Sequence, residues 1–217
     1  KADVPPVYAQ SYHAFRDLFN YGGRQISLMA WNGSNGAYAG KPGYVAFTSW
    51  RNTPAEQAMM DFLVSHAGLP RGAMLWTFGS PRFASDDGWT ATHGSVDVEH
   101  GALTMHPSGD RLTLRSPTDL VIRPASLDRL VLRFAGAAQV HHAVVYAKAD
   151  GDDRWHVIAR VQGAEATLDW PAAWRAHDTI VERLELELAF APGADGSRLT
   201  DVLLYPSSPA AQPARGR

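Results

Sequence analysis

The sequence predicts two kinds of structure in succession: an α/β segment, then an all-β antiparallel sandwich. Three observations carry this expectation. Helical apolar stripes alternate with short uncharged apolar runs up to about position 85. From Trp89 onward the apolar period changes to two. Clusters of Gly, Asp, Asn and Ser then recur at hairpin spacing.

The first helix follows Pro5-Pro6, where Tyr8, Tyr12, Phe15 and Phe19 recur at spacings of three and four, with Leu18 beside them. Gly22-Gly23 supplies a left-handed stop. The uncharged run from Gln25 to Trp31 reads as a strand buried on both faces, opening into the turn cluster from Asn32 to Gly36. A loop rich in aromatics follows, with Tyr38, Tyr44 and Trp50. Thr53 then caps a second helix, with Pro54 at its first position and Glu56 completing a capping box. Met59, Phe62 and Leu63 form its expected buried stripe, and Gly68 with Pro70 ends it. The run from Gly72 to Phe78 repeats the strand pattern and opens at Gly79-Ser80-Pro81. A right-handed crossover makes these two strands parallel neighbours. Two strands and two helices do not close a core, so either the missing strands lie upstream of Lys1, the favoured expectation, or this layer packs on the sandwich.

The remainder alternates. Leu112 and Leu114 flank Thr113, and Leu130, Leu132 and Phe134 alternate with Val131 and Arg133. The longest run sets Leu184, Leu186, Leu188 and Phe190 against Glu185, Glu187 and Ala189. One buried and one wet face is the mark of an antiparallel sandwich. Turns fall at His100-Gly101, Ser108-Gly109-Asp110, Asp150-Gly151-Asp152 and Gly193 to Gly196. The expected division is 1–85 for the α/β segment, 86–206 for the sandwich and 207–217 for a disordered Pro/Ala/Ser-rich tail.

Composition narrows the function. A net charge of −2 gives no electrostatic reason to bind nucleic acid or anionic membrane. Without cysteine, disulfides, thiolate nucleophiles and Cys-based zinc sites are excluded. No apolar run reaches the ~20 residues of a spanning helix. The adjacent His141 and His142 would point to opposite faces of a strand, and His93, His100 and His106 lack regular ligand spacing, so no metal site is expected. The turn from Asp150 to Asp153 is read as a hairpin before Trp155, with calcium the lesser reading. No nucleophile elbow, phosphate loop or zincin helix motif is present, and no cofactor is expected.

A strand ending in Ala30-Trp31-Asn32, a capped helix, then Leu75-Trp76-Thr77-Phe78-Gly79 resembles the last two βα units of a (β/α)8-barrel glycoside hydrolase. The following strands, Arg129 to Phe134 and Glu182 to Phe190, are similar to the galactose-binding-like sandwich domains appended to such barrels. The resemblance implies a secreted or periplasmic carbohydrate-active enzyme acting on a polysaccharide or oligosaccharide, with Trp76 as a sugar-subsite floor and the upstream remainder of the polypeptide as its partner. Retaining barrel glycosidases place a nucleophilic carboxylate at the end of the seventh strand, near ~5 Å from the acid/base. Here that strand ends in Trp31-Asn32-Gly33, so the catalytic pair is expected upstream and no residue of this chain is assigned to it.

Candidate substrate-binding residues are Trp31, Asn32, Asn35, Tyr38 and Trp76. Aromatic faces suit the C–H surface of a pyranose, and loop amides hydrogen-bond hydroxyls. Core packing for the aromatics and turn chemistry for the asparagines explain the same residues. The alternative function is a non-catalytic carbohydrate-binding or adhesion module, recognising glycans through Trp89, Trp155, Trp170 or Trp174.

Overall fold

The computed structural model describes residues 6–21, 54–70, 72–80, 83–99, 101–118, 120–135 and 140–207. The expected strand from Gln25 to Trp31, the glycine stop before it, the Thr53 cap and the tail beyond Ser207 lie outside the described residues. The chain divides into two compact units, Lys1–Ala67 and Gly68–Arg217.

The first unit contains α1 (Pro6–Tyr21) and α2 (Pro54–Ser65). Tyr8, Tyr12 and Phe15 are buried along α1, as their spacing requires. On α2 the buried side chains are Ala58 and Phe62, with His66 just beyond the last turn, while Leu63 is 51% exposed. The expected stripe was thus rotated by about one position: α2 turns Phe62 toward α1, and its neighbour Leu63 lies on the other side. Tyr8 Oη donates to Asp61 Oδ2 (2.6 Å), the Tyr12 hydroxyl meets Ser65 Oγ (3.2 Å), and Phe15 and Phe19 pack on Phe62.

The second unit is antiparallel throughout its described sheets. Its strands are β1 (Met74–Trp76), β2 (Gly79–Ser80), β3 (Phe83–Ala84), β4 (Thr90–Thr92), β5 (Gly94–Glu99), β6 (Ala102–Pro107), β7 (Arg111–Arg115), β8 (Leu127–Ala135), β9 (Val140–Ala149), β10 (His156–Val161), β11 (Glu165–Thr167), β12 (Val181–Phe190) and β13 (Ser197–Pro206). A short helix α3 (Ala172–Ala176) lies between β11 and β12. Sheet I has the order β11-β8-β13-β6-β5, with β1 also paired to β13, and sheet II has the order β10-β9-β12-β7-β4. β2 and β3 form a separate small hairpin.

Alternation decides which side chains enter the sandwich. Leu184, Leu186 and Leu188 of β12 are fully buried, while Glu185 and Glu187 face outward. Leu112 and Leu114 of β7, Ala143, Val145 and Ala147 of β9, and Leu130 and Leu132 of β8 obey the same rule. Each buried leucine contributes about 1.5–3 kcal/mol relative to exposure. Two glycines are required by geometry. Gly151 closes the turn between β9 and β10 at φ 73. At Gly94, with φ 148, an added Cβ would lie 2.3 Å from the His106 carbonyl oxygen.

The barrel reading of the first third is overturned here. β1 pairs antiparallel with β13, with Met74 opposite Leu204, Leu75 opposite Leu203 and Trp76 opposite Val202. The uncharged run around Leu75 therefore reflects a strand buried on both faces within the sandwich: Met74, Leu75 and Trp76 are each at most 4% exposed. Burial on both faces also marks parallel strands, so sequence pattern alone did not separate the two cases. Asp87, in the connection before β4, is 7% exposed and has φ 52.

Candidate functional site

The outward face of sheet II gathers the aromatic and hydrogen-bonding side chains. Register arranges them in two rows that each cross all five strands. One row runs Val157, Tyr146, Glu185, Arg115, Thr90. The next runs Arg160, Val144, Glu187, Thr113, Thr92. At ordinary strand spacing each row is about 19 Å long.

The polar groups are tied to one another. Arg115 Nε donates to Glu185 Oε2 at 2.5 Å, and Arg111 donates to Glu187 Oε1 at 2.9 Å. Tyr146 Oη donates to the other oxygen of Glu187 at 3.3 Å, so this carboxylate bridges a cation and a phenol. Burial first, and then the negative charge and hydrogen bond of Glu187, push the Tyr146 phenol above its ordinary pKa. It therefore stays protonated and keeps its donor role. Trp155 sits just before β10, half-buried, with the Arg115 guanidinium carbon 5.9 Å from its ring centroid. Val157 is 42% exposed and extends the apolar part of the face.

Such a surface matches the two sides of a sugar. Indole and phenol rings cover C–H surface, while carboxylates accept from hydroxyls and guanidinium groups donate to them. The ion pairs hold the carboxylates in place ahead of any ligand, which lowers the ordering cost on binding.

The residues singled out from sequence distribute differently. Trp31, Asn32, Asn35 and Tyr38 lie outside the described residues. Trp76 is 1% exposed, packed edge-to-face against Trp89 with centroids 6.3 Å apart. Trp89 is equally buried and meets Phe78 at 6.0 Å. Trp170 is buried and donates Nε1–H to the Leu127 carbonyl at 2.8 Å, and Trp174 packs beside it and against His156. Of the four tryptophans named for a binding module, Trp155 alone presents surface. Tyr146, Glu185, Glu187, Arg111 and Arg115 were not singled out. Their alternation with buried leucines marked them as outward-facing, yet which outward face is used depends on cross-strand register.

Among the described residues no group of three or more His, Asp or Glu is placed to hold a metal ion. In the turn before Trp155, one oxygen of Asp152 accepts from the Arg154 backbone N–H at 2.9 Å and the other lies 3.0 Å from His156 Nε2. Those two bonds, the backbone one foremost, hold the Asp152 carboxyl below its ordinary pKa. His106 lies between Asp195, 2.6 Å from Nδ1, and Asp97, 3.3 Å from Nε2. The two carboxylates thus take opposite edges of the ring and do not converge on one ion.

No family model matches the chain, and no curated protein does. Among solved structures it is similar to two variants of a family 29 carbohydrate-binding module, from work on the mechanism of ligand recognition by that family. The first overlaps with a TM-score of 0.35 at 10% identity, covering 61% of this chain and 91% of that one. The second gives 0.34 at 10% identity, covering 61% and 90%. Overlap this loose carries neither ligand nor site across.

Proposed function

We propose that this chain is a non-catalytic carbohydrate-binding module that takes up a polysaccharide or oligosaccharide along the outward face of sheet II. The observation that carries the reading is the juxtaposition of half-buried Trp155 and Tyr146 with the paired Arg115–Glu185 and Arg111–Glu187. The face is built on five hydrogen-bonded strands, which supports a rigid platform. The module acts outside the cytoplasm, secreted or periplasmic, where polymeric glycans are met.

The catalytic reading, the leading expectation from sequence, drew its support from parallel barrel strands with loops at their C-terminal ends. Antiparallel pairing of Met74–Trp76 with β13 removes that support, and with it the expected partnership with upstream barrel strands.

Affinity gel electrophoresis of the whole chain against a panel of soluble plant, fungal and bacterial polysaccharides tests the proposal. At least one polymer should retard the protein. Trp155→Ala should weaken that retardation about tenfold or more, as removal of a central aromatic anchor does. Retardation by none of the panel, or retardation indifferent to both Trp155→Ala and Tyr146→Ala, would sink it.

A further inference from the structure

The opposite sheet carries a second arrangement of the same chemistry, in a different shape. At one end of sheet I, register places Thr167 of β11, Arg129 of β8 and Tyr205 of β13 side by side. They line a cavity of about 460 Å³ together with Pro70, Asp128, Pro206 and Ser207. That volume lies within the range of small-ligand pockets, ~300–1,000 Å³.

The walls are held from several directions. The Arg129 guanidinium carbon lies 4.4 Å from the Tyr205 ring centroid, so the planar fork is pinned against the phenol. Ser207 N–H donates to the Ser126 carbonyl at 3.0 Å, fixing the chain where it leaves β13. Leu168 N–H donates to the Asp128 carbonyl at 2.7 Å, which ties the residue after β11 to β8. Arg129 reaches Glu165 only at 3.5 Å, and both side chains are about half exposed or more, so this pair is weak and leaves the guanidinium donors available.

We infer that this cavity is a second binding site, taking a single neutral sugar unit: a free monosaccharide or the end of a glycan chain. Size and walls point to one ring, because Pro70 and Pro206 bound a cavity of small-ligand volume. Charge points to a neutral ligand. Asp128 lines the cavity and Glu165 stands beside Arg129, so among the described residues no net positive charge is left to select a carboxylate or phosphate. A vicinal diol fits the polar set: one hydroxyl donates to the Asp128 carboxylate while its neighbour accepts from Arg129. The Thr167 and Ser207 hydroxyls supply further partners.

The site is independent of sheet II, and the test separates the two. The whole chain, isotope-labelled, is titrated with glucose, galactose, mannose and xylose while amide shifts are followed. At least one sugar should give saturable shifts at Arg129, Thr167 and Ser207, with a dissociation constant on the order of 1–10 mM. Asp128→Asn should weaken this about tenfold while Trp155→Ala leaves it unchanged. Tyr205→Phe controls for folding, since it keeps the ring under Arg129 and should retain binding within about threefold. Shifts confined to the Tyr146 and Trp155 face, no saturable shift with any of the four sugars, or binding of glucuronate in preference to glucose would overturn it.

Discussion

Trp76 and Trp155 belong to the same sandwich and have opposite fates. Trp76 is 1% exposed and surrounded by aromatic and aliphatic side chains, while Trp155 lies half-buried on the outward face with a guanidinium beside its ring. Trp76 ends one short strand and Trp155 immediately precedes another, and both stand near turns. What separates them is position in the sheet. β1 lies against the middle strand β13, where Val202, Leu203 and Leu204 are all buried, so its indole is enclosed. Trp155 precedes an edge strand, β10, and can lie over the outer face. One indole serves stability and the other is free for recognition.

The largest expected effect comes from breaking the buried side. Trp76→Ala should cost about 3–5 kcal/mol of stability, read as a lowered denaturation midpoint at unchanged slope. Affinity for glycan per folded molecule should stay as in the wild type. If Trp76→Ala left stability intact but abolished binding, the division of roles between the two tryptophans would be reversed.

The helical unit repeats the contrast in a titratable form. His66 is 7% exposed, stacked on Phe62 and edge-on to Phe19, and its Nδ1 lies 2.9 Å from both the Phe62 carbonyl and Ser65 Oγ. Burial first, with a smaller contribution from the charge of Arg16, lowers its pKa from 6.5 to about 4, against an opposing backbone bond. The folded unit thus binds its proton later than the unfolded chain does. Stability is full above 6.5 and is lost as pH falls from there to about 4, by about 3 kcal/mol in all. Hydrogen exchange along α2 should accelerate across that window, and His66→Gln should flatten the dependence.

A third, smaller effect tests a polar group on the buried side of sheet II. Ser116 is 1% exposed, its Oγ accepts from the Leu184 N–H at 2.9 Å, and its own N–H donates to the Leu184 carbonyl at 3.0 Å. Ser116→Ala leaves that buried N–H without a partner and should cost about 1–3 kcal/mol, measured by denaturant unfolding.

How much of this was legible in sequence follows from what kind of information each feature needs. Tyr8, Tyr12 and Phe15 at helical spacing located α1, and Leu184, Leu186 and Leu188 at period two located β12, because local periodicity alone decides those faces. The turn glycines were equally local. Pairing partners are not local. The run Met74-Leu75-Trp76 looks the same whether its neighbour is a parallel barrel strand or β13, well over a hundred residues away, and the barrel resemblance chose wrongly between them. The candidate face suffers from the same limit. Glu185, Glu187, Arg115 and Tyr146 come from three strands, and only register brings Tyr146 and Arg115 to either side of Glu185.

The smallest expected effect sharpens the comparison most. Trp155→Ala removes a ring that is only partly packed, so stability should change by no more than about 0.5–1 kcal/mol. Tyr146→Phe removes one 3.3 Å hydrogen bond to Glu187, which Arg111 still holds at 2.9 Å, so its cost should be smaller again. Each variant nevertheless alters the surface offered to a glycan. A double-mutant cycle on binding, with both unfolding midpoints measured alongside, isolates the outward face from the fold beneath it. Coupling between Trp155 and Tyr146 in affinity without coupling in stability is the result expected if one ligand spans both rings. Additive affinities would mean that the two rings do not share a ligand, and the binding platform would then contract to the side of the face that carries Arg115 and Trp155.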